Sequence, residues 1–449
     1  MQNNLERENW TSKLGFILAA AGSAVGLGNI WRFPYVTGVN GGALFLLLYL
    51  VAIILIGYPV MITEVTIGRK AQRNPVGAFK AIAPDTPWWL VGGLGVFTGF
   101  VILSYYSVVA GWSLEYIVKS IGGFAGVDTA ELFVNHITGF PGPLIWHAIF
   151  MALCIIIISA GVVKGIQKAV KVLMPVLAVL LVLLVVRSVT LSGAAEGLRF
   201  MFSPDFSEIT WSSVNAAIGQ AFFTLSLGMG AMITYGSYLS KKENINDNVG
   251  FVVGIDTMIA IFAGLAIFPA VFALGMDPGA GAGLTFITLP AVFAEMPLGG
   301  VFAFSFFVLL SIAALTSAIS LLEVVVAYMV DEKGWARPKA AAVIGIIIFT
   351  VGLIPLLGYS VWDNVEFLGM DLLDTFDWFA NDIFLPLGGL LTAIFAGYIW
   401  GTKNVQEEAN RVEGKITIGA WYGVFIRYIV PVAIAFFLVF GAILPKIRG

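Results

Sequence analysis

Apolar residues along this chain fall into long unbroken runs rather than a periodic stripe, and short polar segments separate one run from the next. About eleven runs stand out, at residues 11–37, 41–68, 88–120, 143–160, 165–187, 214–239, 248–275, 298–330, 338–358, 376–400 and 421–445. They are numbered here as spans 1 to 11. A helix needs roughly 20 apolar residues to cross a hydrocarbon core of about 30 Å, and each run is near or above that length. A membrane barrel would alternate apolar and polar residues in segments of about 10. The stretch Val172 to Val186 is instead apolar on every face, so the pattern predicts helices.

Composition strengthens this reading. Of 449 residues, 59% are hydrophobic and 11% charged, and the mean hydropathy is +0.94. Too little polar surface remains to dissolve a globule in water, so the lipid bilayer is the expected solvent and partner. Most of the 24 Lys and Arg fall at alternate loops, around Lys13, Arg69 to Lys80, Lys164 to Lys171, Lys241 and Lys242, Lys333 to Lys339, and Lys403 to Lys415. Loops near Asp277, Glu295, Asp363 and Asp371 are acidic or nearly uncharged. The asymmetry predicts a multi-pass protein of the cell membrane with its N-terminus cytoplasmic and its C-terminus extracellular. Charged Glu6, Arg7 and Glu8 open the first run, and no small-residue cleavage site follows, so the first helix is expected to be retained.

Chemistry is sparse by comparison. The single cysteine, Cys154, excludes an internal disulfide. The two histidines, His136 and His147, lie in no cluster with metal-site spacing. No nucleophile with its base, phosphate loop or soluble catalytic domain is visible, so neither an enzyme nor a nucleic-acid or organic-cofactor binder is expected.

The first run carries the informative feature. In AAAGSAVGLGNIWRFPY (Ala19 to Tyr35), three glycines crowd the middle and Pro34 follows, which poorly supports a continuous helix. Small residues could simply allow close helix packing. A second such segment, FFTLSLGMG (Phe222 to Gly230), again mixes glycines with hydroxyls five spans later. Paired interruptions point to an inverted repeat with a binding site between its halves. At membrane depth, freed carbonyls and amides are tolerated only inside protein or along a polar cavity, where carbonyls suit cations and half-helix N-termini suit anions.

At these residues the chain resembles, over essentially its whole length, the neurotransmitter:sodium symporter family, and especially its bacterial amino-acid members. The resemblance rests on GSAVGLGNIWRFPY (Gly22 to Tyr35), NGGALF (Asn40 to Phe45), GQAFFTLSLGMGAMITYGSY (Gly219 to Tyr238), FITLPAVF (Phe286 to Phe293) and ALTSAIS (Ala314 to Ser320). It implies an all-α polytopic transporter in which residues 1–449 form one transmembrane domain. Two inverted five-helix repeats, 11–187 and 214–400, would carry broken helices 1 and 6, with span 11 (421–445) outside them.

Carried over residue by residue, the resemblance implies two sodium sites. One would use the carbonyl of Ala24, the side chains of Asn29, Thr224 and Asp256, and the substrate carboxylate. The other would use the carbonyls of Gly22, Val25 and Ala313 with the hydroxyls of Thr316 and Ser317. Amine-transporting relatives place an aspartate where this chain has Gly26, which leaves room for a substrate carboxylate. That group would take the amides of Leu27 and Gly28 and the hydroxyl of Tyr106. The carbonyls of Phe223 and Ser226 would receive the ammonium. Tyr106, Phe223, Met229, Ser317 and Leu321 would line the side-chain pocket, Met229 standing where leucine-transporting relatives have a bulkier aromatic. The expected substrates are hydrophobic L-amino acids, a class that extends to aromatic ones. A cation channel, or a sodium symporter of the same fold for another solute, are the alternatives.

Asp256 lies inside an apolar span, where a carboxylate needs a cation, a proton or a polar partner. Many chloride-dependent relatives have Asn at this position and Ser one turn later, where this chain has Ala260. Transport independent of chloride is therefore expected, with Tyr49, Gln220 and Thr224 beside Asp256. Gates are expected from Arg32 with Asp377 above the site, and from Arg7 and Trp10 with Asp331 below it. Glu64 would bond the unwound backbone.

Overall fold

A computed structural model describes residues 8–279, 281 and 283–448, which are helical but for their loops and one isolated bridge between Phe367 and Met370. Among the described residues, nine helices are long and apolar enough to cross a membrane: Ala43–Ala71, Trp89–Ile121, Pro141–Ser159, Val162–Val189, Ile245–Ala273, Gly299–Lys333, Arg337–Leu357, Leu372–Ile399 and Ala420–Lys446. Span 1 makes a tenth, Lys13–Ala24 followed by Gly28–Val39 at a 48° bend. Span 6 is divided into Trp211–Thr224, of 14 residues, and Ala231–Ser237, of 7. The difference from eleven is thus the second break, which leaves neither piece able to cross alone.

Local signals set where these helices begin. Ser12 accepts the Gly15 amide at 3.1 Å and starts span 1, and Asn244 accepts the Asp247 amide at 2.8 Å and starts span 7. Gly334, at φ 68°, ends span 8. The FITLPAVF segment folds as the short apolar helix Leu284–Glu295 between spans 7 and 8.

Spans 3 and 8 pack most extensively against each other, and the first half of span 1 lies on spans 7 and 8. This layout puts both breaks in the protein interior, facing spans 3 and 8. At the end carrying Lys13, Lys80 and Lys333, Arg69 is fully buried. Its Nε bonds Glu408 Oε1 at 3.0 Å, its Nη1 bonds the Glu243 carbonyl at 2.7 Å, and its Nη2 bonds the Glu408 carbonyl. A buried guanidinium is tolerated only with such full pairing. Glu115, at the other end of span 3, sits 3.0 Å from Lys119 Nζ and 2.7 Å from His136 Nδ1.

The second break explains its own glycines. Gly228 and Gly230 adopt φ 77° and 75°, and a Cβ on Gly228 would stand 2.1 Å from the Leu385 carbonyl oxygen. Gly228→Ala is therefore expected to cost at least ~3 kcal/mol, adding left-handed strain to a clash with rigid backbone. A thermal melt of the purified variant checks this, and an unchanged midpoint would refute the contact.

Candidate functional site

Span 1 stops at Ala24 because Val25 turns extended, at φ −76° and ψ 101°. Span 6 stops at Thr224, and Ser226 then takes φ 53°, a left-handed conformation costly for a residue with a side chain. Its hydroxyl donates to the Ser23 carbonyl at 2.9 Å, and Ser23 in turn donates to Ser320 of span 8 at 2.7 Å. The two breaks are thus tied to each other and to span 8. Glu64 of span 2 accepts the Gly228 amide at 2.8 Å.

Between the breaks lies a nearly closed cavity of about 10 Å³, room for roughly one water molecule. Ala24, Gly26, Gly28, Tyr106, Phe223, Ser226, Met229, Ser317 and Leu321 line it, all residues expected from the sequence. Leu27 and Thr224 are not part of this lining: Leu27 gives its amide to Tyr106 and Thr224 its hydroxyl to Asp256. Ile102 also faces the cavity and was not anticipated, although it sits one helical turn before Tyr106 and so shares its face. The Tyr106 hydroxyl accepts the Leu27 amide at 3.0 Å and shares a further hydrogen bond with the Ser317 side chain. A Cβ on Gly26 would meet Ser317 Cβ and the Tyr106 hydroxyl at 2.8 Å each, so only glycine fits.

Behind the cavity Asp256 is fully buried. It accepts Asn29 Nδ2 at 2.8 Å, Thr224 Oγ1 at 3.0 Å and the Tyr49 hydroxyl at 3.3 Å. Asn29 Oδ1 accepts the Gly26 amide at 3.1 Å. Gln220, expected beside Asp256, bonds elsewhere: it donates to the Gly28 carbonyl at 2.8 Å and accepts Arg32 Nη1 at 2.8 Å. Its side chain points along span 6 toward Arg32, whose charge is the stronger attraction for an amide oxygen.

On the opposite side of span 1, Thr316 Oγ1 lies 3.0 Å from the Ala313 carbonyl oxygen and 3.4 Å from that of Val25. Gly22 is adjacent, a Cβ there standing 3.4 Å from Thr316 Cβ. Thr316 also bonds the Ile312 carbonyl at 3.1 Å, the back-bonding usual for a threonine in a helix.

The expected gates are only partly assembled. Arg32 lies over the Phe223 ring at 5.4 Å, but no ion pair joins it to Asp377 among the described residues. Gln220 holds the guanidinium instead, and Asp377 accepts Asn381 Nδ2 at 2.5 Å. At the other end Trp10 is buried, its backbone amide bonding the Tyr238 carbonyl and its indole the Tyr235 carbonyl, both at 3.0 Å. Asp331 accepts the Asn74 amide at 2.9 Å, whereas Arg7 lies outside the described residues.

A model of the sodium:neurotransmitter symporter family matches residues 7–126 and 131–447. YhdH, an uncharacterized sodium-dependent transporter of Bacillus subtilis, is 42% identical over 431 residues, covering 95% of each chain. An uncharacterized sodium-dependent transporter of Haemophilus influenzae is 36% identical over 96% of this chain and 97% of its own. The crystal structure of MhsT in complex with L-phenylalanine superposes with a TM-score of 0.90 at 48% identity, over 96% of this chain and 99% of that one. The fold is accordingly the inverted five-helix repeat that the paired breaks imply. The chain belongs to the sodium:neurotransmitter symporter family and is a polytopic, sodium-dependent membrane transporter.

Proposed function

We propose that the chain imports hydrophobic L-amino acids, aromatic ones included, by alternating access driven by sodium and without chloride. The observation that carries this reading is the cavity between the two breaks. Its floor is backbone and hydroxyl, suited to a carboxylate and an ammonium, and its wall of Ile102, Phe223, Met229 and Leu321 is apolar. L-phenylalanine bound to the 48% identical MhsT supports the same substrate class. Met229 can adapt to side chains of different shape because a thioether has three freely turning bonds.

Two sodium ions are part of the reading. The first takes the Ala24 carbonyl, Asn29, Thr224 and Asp256; the second takes the Gly22, Val25 and Ala313 carbonyls with Thr316 and Ser317. All these donors are oxygens, as a hard cation requires. The first ion displaces the bond from Asn29 Nδ2 to Asp256, because an amide nitrogen repels a cation, and the Asn29 oxygen turns inward. A substrate carboxylate completing that shell makes ion and amino acid bind together. Arg32 and Asp377 close the outer side when they pair, Arg7, Trp10 and Asp331 the inner. Basic residues at alternate loops support a cytoplasmic N-terminus and an extracellular C-terminus.

Uptake of radiolabelled amino acids into proteoliposomes, with an inward sodium gradient against matched potassium, tests the whole proposal. Accumulation of apolar amino acids is expected, and Asn29→Ala or Thr316→Ala should lower it at least ~10-fold, the cost of one ligand to a charge. Sodium-driven uptake of a solute that is not an amino acid would keep the transporter and discard the substrate.

A further inference from the structure

Away from the transport cavity, the short helix Pro75–Ile82, the first turns of span 3 and the last turns of span 8 enclose a groove of about 320 Å³. Trp89, Gly93, Val96, Phe97 and Phe100 form one continuous face of span 3 along it, a length of roughly 16 Å. Tyr328 and Met329 of span 8 supply the facing wall. A Cβ on Gly93 would meet nothing within 4 Å, so the groove is empty along its floor. Phe97 is 52% exposed and Trp89 42%, which opens it toward the surroundings of the bundle, and for a membrane protein those are lipid.

One end of the groove is charged. Lys80 Nζ lies 5.9 Å from the centre of the Trp89 ring, and Lys333 Nζ lies 6.0 Å from that of Tyr328. Both ammonium groups therefore rest on rings that line the groove. Glu332 is taken up by Lys80 at 3.1 Å and by Asn74 Nδ2 at 3.1 Å. Lys333 has no carboxylate within ion-pair distance among the described residues. The exposed Lys80 to Glu332 pair adds little stability by itself, so Lys80 is available to a stronger anion.

We propose that this groove holds one acyl chain of an anionic phospholipid, with its phosphate at the Lys80 and Lys333 end. Hydrocarbon gains nothing from the hydrophobic effect inside a bilayer, so the chain is held by filling the void over Gly93. The headgroup is selected by charge, since each lysine at an anionic membrane surface contributes roughly 1 kcal/mol.

The test is native mass spectrometry of the purified chain after exchange into phosphatidylglycerol or phosphatidylcholine of matched acyl chains. Wild type should retain one phosphatidylglycerol with about 10-fold preference, the product of two lysine contributions partly spent on Glu332. Gly93→Leu fills the groove without a clash and should lower retention about 10-fold at an unchanged melting temperature. Lys80→Gln with Lys333→Gln should abolish the headgroup preference while the chain still binds. Equal retention by Gly93→Leu, equal retention of the two lipids by wild type, or retention of detergent alone would each overturn the proposal.

Discussion

Replacing Asp256 by asparagine together with Ala260 by serine is expected to make uptake depend on chloride. Asp256 is the only acidic group bonded to Asn29, Thr224 and Tyr49 among the described residues, and it is wholly buried. Neutralising it leaves those donors, and the sodium ion proposed beside them, without a counter-charge. One hydrogen bond to a charged group contributes about 1.5–3 kcal/mol, so sodium-driven uptake in chloride-free buffer should fall at least ~10-fold, and closer to ~100-fold if a single bond of the upper value is lost. Ala260 lies one turn along the same helix and is buried, so a serine hydroxyl there can help hold an anion where the carboxylate stood. Adding chloride should then restore much of the rate. The measurement is initial uptake with chloride against gluconate, for the single and double variants. Chloride stimulation of the wild type would refute the role of Asp256 as the fixed counter-charge.

Gly26→Ala should have the next largest effect, and for a different reason. The added methyl would approach Ser317 Cβ and the Tyr106 hydroxyl at 2.8 Å, distances real Cβ atoms do not tolerate. Relief requires span 1 to withdraw from spans 3 and 8, or Tyr106 to release the Leu27 amide. Overpacking of this kind costs about 1–3 kcal/mol, which corresponds to a loss of roughly 5-fold to 150-fold in substrate affinity. Binding of labelled L-phenylalanine to purified protein, with expression and melting temperature as controls, measures it. Affinity kept within about twofold would show that Gly26 does not border the substrate.

The gates illustrate what distance in sequence conceals. Arg32 and Asp377 are opposite charges near the same break, and the family resemblance implies that they pair. In the structure each has a nearer partner, Gln220 for the guanidinium and Asn381 for the carboxylate. Gln220 also holds the Gly28 carbonyl, so it joins the first break to the charge above it. On the proposed mechanism, closing the outer side means exchanging these two neutral partners for one ion pair.

Spans, their order and both interruptions were legible in the chain, because each depends on residues close together: a run of about 20 apolar side chains is long enough to cross a bilayer wherever it occurs. Gly22 to Gly28 and Phe222 to Gly230 marked the breaks for the same local reason, that glycine and hydroxyl side chains weaken a helix from within. Nearly all the cavity lining followed from the family resemblance of those same segments. Which polar groups satisfy one another was decided only by the fold. Ser226 reaches Ser23 across 203 positions, Gln220 reaches Gly28 across 192, and Asn29 reaches Asp256 across 227. A buried donor takes the acceptor that tertiary packing brings within about 3 Å, and no local pattern of residues encodes that choice.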